Sequence, residues 1–248
     1  MKNNFFCKKP ISDIYKNSSK NSEVISQIIY GEKFRVLSKN KSWLKIKTSF
    51  DNYIGYIKNE NYINNFKPTH KIFVLKSNIF DKTKRKTKYF LTFASKISII
   101  QESKKFVEFE KNKWIKKKDI KKINHIEENY LKIFKLFLNT KYLWGGKTYK
   151  GVDCSAILQL FFFYNNKFFP RDTKDQIKFS KKNIKKNIFK KGSVIFWKGH
   201  VAICINSKKL IHAYGPENKV LIMSIKKTID RIKRTAKLIV KKVSFIEC

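Results

Sequence analysis

Tyr142-Leu143-Trp144-Gly145-Gly146 and, a few residues later, Asp153-Cys154-Ser155-Ala156, opening the apolar run Ile157, Leu158, Leu160, Phe161, Phe162 and Phe163, form the stretch on which the fold turns. A glycine-rich loop followed by a polar tetrad and an apolar run predicts a buried helix with Cys154 in its first turn. Backbone N–H groups and the helix dipole at such a position favour a thiolate, the reactive form of cysteine. Cysteine is also a common small core residue, so Cys154 alone does not make a site. Histidine placement does. The chain has four His, and two fall in consecutive strand-like segments, Gly199-His200-Val201-Ala202-Ile203 and Leu210-Ile211-His212-Ala213. The intervening Asn206-Ser207-Lys208-Lys209 reads as a hairpin turn. A loop centred near Asn206 makes His200 and His212 neighbours on one sheet. A cysteine, a base and an orienting group then converge, as an activated nucleophile requires.

The ordered series Tyr142-Leu-Trp-Gly-Gly, Asp153-Cys-Ser, Pro170-Arg-Asp-Thr with Gln176, Gly192-Ser-Val-Ile-Phe-Trp-Lys-Gly-His200-Val and Ile211-His-Ala resembles the NlpC/P60 family of bacterial cell-wall cysteine peptidases. The resemblance implies an α+β fold, a circularly permuted papain-like catalytic domain, and cleavage between γ-D-glutamate and a diamino acid of murein peptides. It assigns Cys154 as nucleophile, His200 as general base and His212 as the third, orienting group, with no metal and no cofactor. The pattern departs at Ala156 and Ala202, which stand for usual glycines, and at Ser193, which stands for a usual aspartate.

At 248 residues the chain exceeds one typical domain. Five strand-sized segments, Ile11 to Tyr15, Glu23 to Ile29, Lys33 to Leu37, Trp43 to Lys47 and Tyr53 to Lys58, are separated by Gly, Asn, Ser and Asp and suggest a small barrel. The Gln27-Ile-Ile-Tyr-Gly-Glu-Lys-Phe and Asp51-Asn-Tyr-Ile-Gly-Tyr-Ile stretches resemble a bacterial SH3 domain of the kind that precedes these peptidases. Shorter candidates at Ile72 to Leu75, Ile97 to Ile100, Phe106 to Phe109 and Trp114-Ile115 suggest a second SH3-like barrel. The expected division is therefore residues 1–66, 67–122 and 123–248, the last opening with a buried helix over Glu127 to Asn139 and ending in an amphipathic helix and a strand.

Composition narrows the chemistry further. Cys7, Cys154, Cys204 and Cys248 are widely spaced, without the paired spacing of zinc or redox sites, so no disulfide framework is expected. No apolar run reaches the eighteen residues of a membrane span, and the first residues lack a signal-peptide core; the expected location is the cytoplasm. The net charge of +39 normally marks a polyanion partner. Here lysine is spread along the whole length beside abundant Ile, Asn and Phe, the pattern of an AT-biased coding sequence, and no specific nucleic-acid partner is expected.

In relatives that act on recycled peptides, the resemblance implies a requirement for a free amino-terminal L-alanine. Asp153 and Ser155 would bind its ammonium, with Tyr53 and Glu32 reaching it from the SH3 domain and Tyr142 and Trp144 lining the cleft. Arg171 and Thr173 belong to a motif near the site. Asp153 also suits a helix N-cap. Two other readings compete: an endopeptidase acting on intact wall, and a basic binding module without catalysis. The intact cysteine and histidine set argues against the second.

Overall fold

The computed structural model describes residues 4–60, 62–180 and 188–246; Cys248 lies outside them. The chain divides into two compact units, residues 1–126 and 127–248.

The first unit is built of strands. A six-stranded antiparallel sheet runs in the order Asn4–Phe6, Lys33–Asn40, Trp43–Thr48, Ile54–Lys58, Ile11–Tyr15, Val24–Ile29. All five expected strands are present, and Asn4–Phe6 is an addition. Ile14, Ile28, Phe34, Leu44, Ile46 and Ile57 face one apolar core; on Trp43–Thr48 the alternation is plain, with Leu44 and Ile46 buried and Lys45 and Lys47 on the other face. Beyond it, a five-stranded and a three-stranded sheet enclose a second core of Ile72, Ile79, Leu91, Ile97, Val107, Phe109 and Ile115. Tyr30 reaches into this core from the six-stranded sheet. Next to it Gly31, at φ +76°, lies so close to the Lys96 carbonyl that a β-carbon would overlap it. Glycine is required there on both counts.

Two expectations for this region need correction. The segment expected over Ile72 to Leu75 is divided between the strands His70–Ile72 and Lys76–Phe80, and Lys86–Thr92 adds a strand where none was expected. Lys86-Thr-Lys-Tyr-Phe-Leu-Thr92 buries only Leu91 and Thr92 and carries lysines on its exposed face. In a chain so rich in lysine, that pattern is hard to tell from a loop.

Among its described residues the second unit has four α-helices and an antiparallel sheet ordered Lys219–Ser224, Lys209–Tyr214, His200–Cys204, Ser193–Trp197, Lys242–Phe245. Helix α1 spans Tyr130–Leu136, shorter than the expected Glu127 to Asn139. It stops because Phe137 caps the last carbonyls and Asn139 turns into the left-handed region at φ +63°. Helix α2, Cys154–Tyr164, is buried along its whole length and lies against the His200–Cys204 and Lys209–Tyr214 strands. Tyr130 and Phe134 of α1 pack on Phe161 of α2. Helix α3 covers Thr173–Phe179, and α4, Ile225–Ala236, buries Ile225, Thr228 and Ile232. Ser193, where the family has an aspartate, is fully buried and accepts a hydrogen bond from the Lys190 N–H at 3.0 Å. The hydroxyl thus closes this turn. No helix among the described residues is long and apolar enough to cross a membrane.

Candidate active site

Asp153 holds the site together. Its carboxylate caps α2 by accepting from the Ala156 N–H at 2.8 Å and accepts from the Gly145 N–H at 3.0 Å, pinning the glycine-rich loop to the helix start. Gly145 sits at φ +72°, a backbone that glycine adopts without strain. Arg171 approaches both carboxylate oxygens, at 3.0 and 2.6 Å, and also donates to the Ser155 hydroxyl at 2.8 Å; that hydroxyl in turn donates to Asp153 at 3.0 Å. The fork matches the carboxylate geometrically, and both charges are almost wholly buried. Gln176 of α3 completes the frame, donating to the carbonyls of Ser155 and Pro170, each at 2.9 Å.

This frame bears on one expectation. The ammonium-binding role carried over to Asp153 and Ser155 meets groups already committed to the protein. The carboxylate accepts five hydrogen bonds from the chain itself, which fills its acceptor capacity. Asp153 acts here as helix cap and ion-pair partner. Arg171→Ala should therefore destabilise the protein by about 3–5 kcal/mol, because it strands a buried carboxylate. Arg171→Lys should recover part of this, since an ammonium cannot reproduce the fork. Urea unfolding measures both; a loss below about 1 kcal/mol for the alanine variant would show that the pair is not the anchor.

The frame delivers Cys154 to the sheet. Its thiol lies 3.9 Å from the Gly199 carbonyl, accepts from the Val201 N–H and is hydrogen-bonded to the Thr173 side chain. It therefore faces the backbone on both sides of His200. Burial pushes the thiol up to about 12, with the Asp153 charge adding to the rise. Desolvation thus acts on the resting thiol against the thiolate that a helix start favours.

His200 opens its strand after the Lys198-Gly199 turn, in which Trp197 pairs with His200. Its Nε2 is 2.9 Å from Nδ1 of His212. Burial lowers His200 to about 4, and burial followed by the neighbouring His200 and Arg231 takes His212 well below its ordinary value. Both rings are thus neutral near pH 7. The His212 ring stacks on Tyr214 at 4.7 Å and 12°, and its Nε2 lies 3.3 Å from Sδ of Met223. Tyr214 was legible in principle, since two residues on from His212 along a strand is the same face. Met223 carried no sequence signal.

The remaining expected residues divide. Tyr142 is half-buried, and burial together with the nearby Cys154 and Asp153 raises its phenol. Thr173 is buried beside the thiol, whereas Trp144 is 58 % exposed. Glu32 and Tyr53 belong to the first unit. Glu32 is buried and accepts from the Ile29 N–H at 3.1 Å, and Tyr53 closes a turn by donating its N–H to the Thr48 hydroxyl at 2.8 Å. Among the described residues no group of three or more His, Cys, Asp and Glu is placed to hold a metal ion.

Two stretches of the chain match known families. Residues 139–236 match the NlpC/P60 family, and residues 14–61 match the bacterial dipeptidyl-peptidase SH3 domain. Dipeptidyl-peptidase 6 of Lysinibacillus sphaericus is 31 % identical over 98 residues, 40 % of this chain and 36 % of that protein. Gamma-D-glutamyl-L-lysine dipeptidyl-peptidase of Bacillus subtilis (strain 168) is 30 % identical over 110 residues, 41 % and 37 % of the two chains. The matched stretch thus spans little more than a third of either relative. A solved NlpC/P60 family protein from Bacillus cereus ATCC 10987 shares the fold with a TM-score of 0.78 at 16 % identity, over 90 % of this chain and 94 % of that one. Over residues 139–236 the chain carries an NlpC/P60 domain, and over residues 14–61 a bacterial dipeptidyl-peptidase SH3 domain.

Proposed function

We propose that the protein is a cysteine peptidase that hydrolyses the bond between γ-D-glutamate and a diamino acid in free murein peptides, releasing L-Ala-D-Glu. The observation that carries this reading is the 2.9 Å contact of His200 with His212 on the strand whose first residues hold the Cys154 thiol. His200 takes the proton from the thiol as sulfur attacks the amide carbonyl. Backbone N–H groups at the start of α2 face the developing oxyanion. His200 then gives its proton to the leaving amine, and water, activated by the same imidazole, hydrolyses the thioester and restores the thiol. His212 holds the imidazole in orientation.

The dipeptidyl specificity rests on the names of the two relatives and on the SH3 match. Residues 67–122 are read as a second SH3-like domain, because apart from Tyr30 every buried residue of the second core lies in this stretch, and the catalytic domain as residues 123–248. The basic field of the chain attracts an acidic peptide of this class, and the site of action is the cytoplasm. The test is incubation with L-Ala-γ-D-Glu-diaminopimelate, its N-acetylated form and intact sacculi. Release of L-Ala-D-Glu from the free peptide is expected, with N-acetylation, which removes the ammonium charge and adds bulk at the alanine, lowering the rate by at least roughly 30-fold. Sacculi should be untouched. Equal cleavage of acetylated and free peptides, or digestion of sacculi, would make the protein a wall endopeptidase.

A further inference from the structure

The far end of the histidine pair meets a thioether. Met223, on the strand Lys219–Ser224, is diagonal to His212, whose directly paired residue is Leu221. A thioether sulfur has lone pairs and no hydrogen, so it can only accept. With Sδ 3.3 Å from His212 Nε2, the proton of the neutral ring belongs on Nε2, which leaves Nδ1 as an acceptor. That Nδ1 meets His200 Nε2 at 2.9 Å, so His200 too carries its proton on Nε2. Its remaining nitrogen is then bare, as a base for the thiol must be. Stacking on Tyr214 fixes the plane of the His212 ring.

We propose that Met223 is a positioning residue whose thioether selects the tautomer of His212 and, through it, of His200, so that the base presents an unprotonated Nδ1 to Cys154. This rests on the peptidase reading given above. The bland alternative is that Met223 merely fills space beside the Trp197 and Ile225 cluster. The two are separable because a filler does not care whether its replacement donates or accepts.

Full-length protein labelled with 15N-histidine offers only four His, so long-range 1H–15N correlation can read each tautomer. In the parent protein both His200 and His212 should carry the proton on Nε2. Met223→Lys offers only donors at similar length and should move both protons to Nδ1, lowering kcat roughly 100-fold or more with little change in KM. Met223→Leu should give a tautomer mixture and lose about 3- to 10-fold in kcat. Met223→Gln, whose amide oxygen accepts, should restore the Nε2–H form and most of the rate. Should the lysine variant fail to fold, the leucine and glutamine pair carries the same comparison. A parent His212 protonated on Nδ1, or a tautomer unchanged in the leucine variant and in the lysine variant where that folds, would overturn the inference. The spectra need no turnover, so an inactive parent protein would count against the peptidase reading while leaving the tautomer result to stand on its own.

Discussion

Cys154→Ala should reduce peptidase turnover to background, a loss of roughly a millionfold if the nucleophile acts in a unit with its base, while the protein stays folded. The expectation of an intact fold comes from the frame around the residue. The α2 start is held by the Asp153 cap, the Arg171 fork and the Gln176 staples, none of which uses the sulfur. Removing it costs one small buried atom, 4 % exposed in the parent, so the thermal midpoint should move by only a few degrees. Alkylation gives a second readout. Cys154 and Cys204 are both pushed up to about 12 by burial, so thiolate content does not distinguish them. What differs is surroundings: Cys204 is fully enclosed in the sheet, whereas Cys154 faces the segment that carries His200. Iodoacetamide should therefore modify Cys154 first. Peptidase activity that survives Cys154→Ala would end the cysteine-peptidase reading.

The histidine pair shows how sequence patterning can find a site with an imperfect register. A loop centred near Asn206 would set His200 directly opposite His212. The structure pairs Ile203 with Ile211 and Cys204 with Leu210; continued, that register puts His212 opposite Ala202 and makes the two histidines diagonal neighbours. The slip is two residues, and because side chains alternate with period two, both rings stay on one face. A slip of one residue would have separated them. Diagonal neighbours on an antiparallel pair remain within reach of aromatic rings, and the 2.9 Å contact is the result.

The ion pair beneath the cysteine was less legible. Asp153 and Arg171 are eighteen positions apart, joined by no periodicity, and the short range of helix and turn rules does not extend to such a pair. Composition nevertheless held a clue. Of 57 basic residues only five are arginine, so Arg171 stands out in a chain that otherwise uses lysine. Bidentate recognition of a buried carboxylate is the work that lysine cannot do. The strands at Lys76–Phe80 and Lys86–Thr92 escaped for the opposite reason: lysine on their solvent face resembles lysine everywhere else in the chain.

His200→Ala should cost roughly 10,000-fold in kcat, less than loss of the cysteine but enough to leave the protein nearly inactive, because the resting thiol cannot supply its own anion. With Cys154 pushed up to about 12, almost none of it is ionised near pH 7, and the base must take the proton as the substrate carbonyl is attacked. The same burial that raises the thiol lowers His200 from 6.5 to about 4. The sign of the pH dependence follows. His200 works as a base only when neutral, so the acid limb of kcat/KM, which reports the free enzyme, should lie below pH 6.5 and toward pH 4. Stability shares that window. Between pH 6.5 and about 4 the unfolded chain binds a proton at this histidine that the folded protein refuses, so folding stability is full above pH 6.5 and declines as the pH falls toward 4. His212, lowered in the same direction, adds to the decline. His200→Ala should flatten part of that decline while abolishing activity, a combination that loss of packing alone would not produce. Urea unfolding at a series of pH values, set beside initial rates on the free peptide, measures both. Near-normal rates in His200→Ala, or an acid limb at pH 6.5 or above in the parent, would mean that another group takes the thiol proton.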